Sequence, residues 1–162
     1  MKKIIICLSA LSLVACKDKE QNETISDSSN NSVTSENVTE KHCFLQVSPY
    51  SPEYNKDRVV ADSIVFEYEK KGDSVYGILS WLPYEKDTKR STFRGVLKDG
   101  KGTAIAETMA EGMDYTEELH FTVEDNSAKI TYGAMQQDKE GIWRYEDESK
   151  TSEQVLEKVD CN

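Results

Sequence analysis

The sequence predicts an all-β fold: an antiparallel, eight-stranded up-and-down meander closed as a small barrel, with a β-sandwich as the alternative. Three observations predict it. Apolar and polar residues alternate with a period of two, Phe93, Gly95 and Leu97 against Thr92, Arg94, Val96 and Lys98, and Leu119, Phe121 and Val123 against Glu118, His120, Thr122 and Glu124. That is the pattern of half-buried strands. Turn residues recur about every 10 to 14 positions, at Lys71-Gly72-Asp73, Asp99-Gly100-Lys101-Gly102, Glu111-Gly112, Asp125-Asn126-Ser127 and Glu140-Gly141, because Gly, Asn and Asp accept the positive φ of tight hairpins. Cys43 and Cys161 bracket the whole patterned region.

Strands are expected near 43–48, 59–69, 74–82, 90–98, 102–110, 113–124, 127–136 and 142–147. A meander exposes two unpaired edges unless it curls and pairs its first strand with its last, so a barrel is the natural solution. Residues 152–159 read as a short helix, with Thr151 and Gln154 at capping-box spacing. Two strands do not sort cleanly. Along 74–82 both faces carry bulk, Val75, Leu79 and Trp81 on one and Tyr76, Ile78 and Leu82 on the other, so this strand either packs under another element or exposes a contact surface. Along 102–110, Ile105 and Met109 share a face with Glu107, opposite Ala104, Ala106, Thr108 and Ala110. With the larger residues inward, Glu107 is a buried acid in need of a cationic or donor partner; the alternative is a solvated or rim position.

The N-terminus reads differently. Ile4 to Ala15 form an apolar stretch of 12 behind Lys2 and Lys3, which suits a removable signal peptide and falls short of the roughly 20 residues of a spanning helix. Leu13, Val14, Ala15 and Cys16 close it, and this run resembles a bacterial lipoprotein signal (lipobox). The resemblance implies lipid attachment to the Cys16 thiol and cleavage after Ala15. Several acyl chains make such an anchor effectively permanent. Lys17, Asp18, Lys19 and Glu20 follow, similar to the surface-export signal of Bacteroidetes outer-membrane lipoproteins. That implies an outer-membrane, lipid-anchored protein at the cell surface, with the periplasmic face as the alternative. Asp62-Ser63-Ile64 and Asp73-Ser74-Val75 resemble the O-glycosylation tripeptide of exported proteins from the same phylum, which implies Ser63 and Ser74 as modification sites.

The domain plan is therefore a signal peptide over 1–15, the lipidated cysteine and a disordered tether over 16–41, and a β-barrel over 42–162. The tether is rich in Asn, Ser, Thr, Glu and Asp, with Ile25, Val33 and Val38 its only aliphatic residues, too few to offset the entropy of ordering. Cys7 leaves with the signal, and Cys43 with Cys161 is the one remaining pair. In an oxidising compartment they are expected to form a structural disulfide.

Sequence signals for chemistry are sparse. No phosphate-cradling glycine loop, H-E-x-x-H or G-x-S-x-G occurs, and only His42 and His120 offer imidazole. No catalytic residue, metal site or cofactor is expected, and Asp138, Glu140, Glu146, Asp147 and Glu148 read as a solvated acidic face without calcium-loop spacing. Without Lys2 and Lys3 the chain carries 18 basic against 30 acidic residues, a net charge of −12, which repels nucleic acid and favours basic partners.

Three functions fit a monomeric, non-enzymatic domain of this kind. The first is a binding or structural module at the cell envelope, contacting a basic protein or a glycan through Trp81, Tyr84, Tyr50 and Tyr54, aromatics beside prolines in loop-like segments. The second is an inhibitor of a basic cell-wall enzyme such as lysozyme, resembling the small acidic lipoproteins of that class. The third is a carrier of a small apolar ligand, resembling lipocalins in architecture only. Gly141-Ile142-Trp143 stands in the last expected strand, where the lipocalin G-x-W belongs to the first.

Overall fold

Alternation of inward and outward side chains, with positive φ at Gly72, Asp99, Gly100, Glu111, Gly112 and Gly141 in the turns, builds ten strands among the described residues. They are β1 (Glu40–Pro49), β2 (Ala61–Lys71), β3 (Ser74–Leu82), β4 (Lys89–Lys98), β5 (Lys101–Ala110), β6 (Met113–Val123), β7 (Ser127–Tyr132), β8 (Met135–Gln137), β9 (Ile142–Tyr145) and β10 (Ser152–Val159). The structure is a computed structural model that describes residues 39–51, 53 and 60–161. These fall in one compact unit, Ser35–Asn162. The signal peptide, Cys16, nearly all of the expected tether and Tyr54 lie outside the described residues.

Eight of the strands close a ring, β1-β2-β3-β4-β5-β6-β7-β10, with β5 bonded to β6 and β10 bonded back to β1. Every neighbour in the ring is antiparallel. The barrel is therefore closed, as the meander predicts. The seam is short: Cys43, Phe44 and Leu45 pair with Val159, Lys158 and Glu157. The Cys43–Cys161 disulfide lies beside it, closing a separation of 118 residues.

The eighth stave differs from the expected one. Residues 142–147 do not close the barrel; β9 pairs with β8 as a hairpin and runs parallel to β6 at Thr116 and Glu117. The expected strand 127–136 breaks after Tyr132, so that β7 and β8 are separate. The residues read as a helix are β10, preceded by a 3-10 turn, Glu148–Lys150, capped by Asp147. Helix-forming Glu, Gln and Lys dominate β10, but the open edges of β1 and β7 both need a partner. Long-range pairing overrides local propensity here, and Leu156 is driven into the core with no exposed surface.

An eight-stranded barrel is just wide enough for side chains to fill. Phe44, Phe66, Phe93, Phe121, Ile130 and Leu156 are fully buried inside it. Phe66 sits at the centre, its ring 5.4 Å from Phe93, 5.0 Å from Phe121 and 5.5 Å from Tyr68. Rings of this size leave room only for small residues on the facing strand. Gly102, Ala104 and Ala106 of β5 accordingly point inward, and a Cβ at Gly102 would lie 2.2 Å from the Phe121 ring. The opposite expectation for β5, with Ile105 and Met109 inward, is thus overturned by the phenylalanines. Glu107 faces outward with them and is not a buried acid; it lines two adjoining outer grooves, of about 790 and 650 Å3, beside Ile78, Thr92 and Thr116. Along β3 the outer residues Tyr76 and Ile78 stay exposed, so that face of the strand is not packed under another element.

Reducing the disulfide, or replacing Cys161→Ser, is expected to lower stability by about 2–4 kcal/mol through the freed loop. The β1–β10 backbone pairs should preserve the strand signal in circular dichroism. A urea midpoint unchanged by reductant would contradict this.

Candidate functional site

The ring has two different ends. At one lie the start of β1, the β2–β3, β4–β5 and β6–β7 turns, and the disulfide. At the other lie the ends of β1, β3, β5 and β7 and the starts of β2, β4, β6 and β10. This second end is the mouth, and the inward-facing residues change character there. Phe93 gives way to Ser91 and Lys89, Ala106 to Thr108, Phe121 and Leu119 to Glu117, and Leu156 to Gln154. Each is reached by stepping two residues along a strand from a core position.

These side chains form one network. Lys89 Nζ contacts Glu117 Oε1 at 2.7 Å and Oε2 at 2.9 Å. The Thr108 hydroxyl donates to Glu117 Oε1 at 2.8 Å, and Ser91 Oγ lies 2.7 Å from Thr108 Oγ1. Thr108 has one hydroxyl proton and gives it to Glu117, so Ser91 is the donor to Thr108. Lys89 also stands 5.7 Å from the centre of the Tyr115 ring, within reach of a cation–π contact. Glu117, 8% exposed, is the one buried acid among the described residues. It has the cationic and hydroxyl partners that burial demands.

Two cavities flank the pair. One, of about 290 Å3, is lined by Leu79, Trp81, Lys89, Ser91, Tyr132 and Gln154. The other, of about 420 Å3, lies between β6 and the β8–β9 hairpin, against Met113, Tyr115, Glu117, Gly133, Met135 and Trp143. Trp81 and Trp143 are each 37% exposed. Burial, with the Glu117 charge adding to it, pushes the Tyr132 phenol up to about 12; it remains a neutral hydroxyl donor at any physiological pH. Tyr145 is likewise pushed up to about 12 by burial and donates to the Thr131 carbonyl at 2.8 Å.

The hairpin that carries Trp143 is held by charge. Asp138 Oδ1 accepts from the Glu140 and Ile142 amides, each at 2.9 Å, and Oδ2 accepts from Arg144 Nε at 2.9 Å. Arg144 reaches on to Glu118 of β6 at 3.7 Å. The Arg144 bond, then the backbone amides, hold the Asp138 carboxyl below its ordinary 3.8.

Three of the four aromatics expected to bind a partner fall at the mouth. Trp81 lines the smaller cavity. Tyr50 and Tyr84 meet at the rim with ring centres 6.3 Å apart, and both bond to Asp62 Oδ1, the Tyr50 hydroxyl at 3.0 Å and the Tyr84 amide at 2.8 Å. Tyr54 lies outside the described residues. The serines lie elsewhere: Ser63 is half-buried on β2, facing away from the core residues Ile64 and Phe66, and Ser74 is exposed beside the turn at the far end. His42 stacks on Tyr68 at 4.8 Å near that far end, and His120 packs against Tyr145 on the outer face of β6. Among the described residues no three His, Cys, Asp or Glu side chains gather to hold a metal.

Sequence reasoning missed Lys89, Ser91, Thr108 and Glu117. The signal was present, because Glu117 continues the face of Leu119, Phe121 and Val123, and Lys89 and Ser91 continue that of Phe93 and Leu97. Comparison with known proteins finds no matching family model, no matching curated protein and no matching solved structure. The geometry of the mouth is what a functional reading has to rest on.

Two outcomes are expected. Lys89→Met should cost about 1–3 kcal/mol, because it strands the Glu117 carboxylate. The Lys89→Met/Glu117→Leu pair should recover most of that loss in a double-mutant cycle by urea denaturation; additive losses would contradict the network. Asp138 has a depressed folded pKa, so its contribution is full above the unfolded value of 3.8 and is lost as pH falls through the folded one. Trp143 fluorescence in a Trp81→Phe background should therefore change on acidification below pH 3.8, and Asp138→Asn should abolish that step.

Proposed function

We propose that this protein is a lipoprotein, anchored at the outer membrane through Cys16, whose barrel is a non-enzymatic binding module that engages its partner at the mouth. The observation that carries this reading is the concentration there of exposed aromatics around an ion pair whose acid is buried and whose lysine reaches water. Binding sites combine this mixture of apolar surface with a few fixed polar groups. The far end, where the chain enters at Glu40 beside the disulfide, offers turns and charged side chains instead.

Several features favour binding over the alternatives. The phenylalanine-filled interior gives an apolar-ligand carrier no central chamber; the two cavities beside the ion pair lie at the mouth, and the larger grooves run along the outer face of β3 to β6. The partners of the Glu117 carboxylate are Lys89 and Thr108, with neither histidine among them, which favours a non-catalytic role. The acidic balance of the chain remains compatible with a basic protein as partner. No feature of the mouth singles out lysozyme.

The test separates anchor from mouth. Cys16→Ser should move the protein from the membrane to the soluble fraction; retention at the membrane would contradict the lipoprotein assignment. A photo-crosslinking amino acid in place of Tyr84, at the rim, should capture envelope material on living cells. The same group in place of Lys101, at the far end, should not. Equal capture from both positions, or capture from position 101 alone, would overturn the mouth as the binding surface.

A further inference from the structure

The smaller cavity of the mouth has a fixed hydrogen-bonding polarity. Ser91 gives its only proton to Thr108, so its oxygen offers the cavity lone pairs alone. Lys89 directs two contacts at Glu117 and keeps a third ammonium proton. No described residue hydrogen-bonds the Gln154 amide or the Tyr132 hydroxyl, which line the same cavity, and each of these both donates and accepts. Leu79 and the half-exposed Trp81 supply the apolar wall.

Each class of ligand meets this set differently. An apolar ligand would strip water from Lys89, Tyr132 and Gln154 and return nothing. An anion would draw Lys89 away from Glu117, and a cation would draw Glu117 away from Lys89; either strands a charge in a partly buried place. A neutral ligand bearing several hydroxyls leaves the pair intact, because each hydroxyl can give a proton to Ser91 or accept one from Lys89. The remaining wall is a flat indole, which suits a ring that is polar at its edge and presents C–H groups on one face. A volume of about 290 Å3 is at the lower limit of small-molecule sites, roughly 300 Å3 and upward, and holds one such ring.

We propose that this cavity binds a single neutral pyranose unit of a glycan, its C–H face stacked on Trp81 and its hydroxyls bonded to Lys89, Ser91, Tyr132 and Gln154. The inference rests on the mouth being the binding surface and names what it binds.

The test uses the full chain in a detergent without a sugar headgroup, titrated with methyl glycosides of neutral hexoses and followed by saturation-transfer NMR and tryptophan fluorescence. Methyl glucuronide and methyl glucosaminide are the charged controls. Saturable binding of at least one neutral glycoside is expected, with both charged controls weaker by about tenfold or more. Trp81→Ala should weaken that binding by about tenfold, and Tyr132→Phe and Gln154→Leu, which keep the side-chain shape, by about three- to tenfold each. Tyr76→Ala, on the outer face of β3, should leave it unchanged. Failure of every neutral glycoside to bind, or equal binding of a charged one, overturns the saccharide assignment. Capture from position 84 but not 101 would then show that the mouth reading survives alone. Saccharide binding unaffected by Trp81→Ala, Tyr132→Phe and Gln154→Leu together would remove the mouth as the site and the assignment with it.

Discussion

A sheet has two edges, and every strand along them carries amide and carbonyl groups that need partners. In this protein the requirement is met at one seam, where β1 meets β10 over three residue pairs with the Cys43–Cys161 disulfide beside them. Everything else depends on that closure. It turns a meander into a ring, and so gives the phenylalanines an inside. It also leaves the β8–β9 segment outside the ring, free to fold over the edge of β6 where β7 turns away. The seam is the costliest part of the fold in chain entropy, since it joins segments nearly the whole domain apart, and it is the part that carries the covalent link.

Closure explains the division between the two ends. Four phenylalanines, with Ile130 and Leu156, fill the barrel, and their bulk is matched by glycine and alanine across from them. Toward the mouth the phenylalanines run out. The same inward positions are taken by Ser91, Thr108, Glu117, Gln154 and Lys89, and a charged pair there is tolerable because water reaches one partner: the Lys89 side chain is 31% exposed and that of Glu117 11%. Apolar residues of similar volume would often do as well for stability. The pair is thus better explained by what it presents at the mouth than by what it adds to the fold.

The sequence made much of this legible, for physical reasons that differ along the chain. β2, β4 and β6 were readable because apolar residues recur at every second position on the face that meets the core, whereas β3 and β5 were bounded by their turns although their faces did not sort. β10 was not, because only Leu156 is buried in it and Glu153, Gln154, Glu157 and Lys158 favour helices locally; its identity comes from the two open edges it joins. Glu107 was a candidate buried acid beside its solvated alternative, and Glu117 was not singled out, for a related reason. Ile105 and Met109 are larger than Ala104 and Ala106, and size alone put them inside, whereas the space available is set by Phe93 and Phe121 on neighbouring strands. Of the site itself, Trp81, Tyr84 and Tyr50 were recognisable as aromatics near loops. The Lys89–Glu117 network was hidden because its members are 28 residues apart and meet only after the barrel closes.

The most direct measurement of the central claim, closure with a polar mouth at one end, is hydrogen–deuterium exchange of the full chain resolved strand by strand. Amides of β1 and β10 along the seam should be protected as strongly as those of β4 and β5, with protection falling only toward the mouth. Rapid exchange along β1 and β10 with slow exchange elsewhere would mean an open sheet, and with it no enclosed interior for Glu117 to terminate.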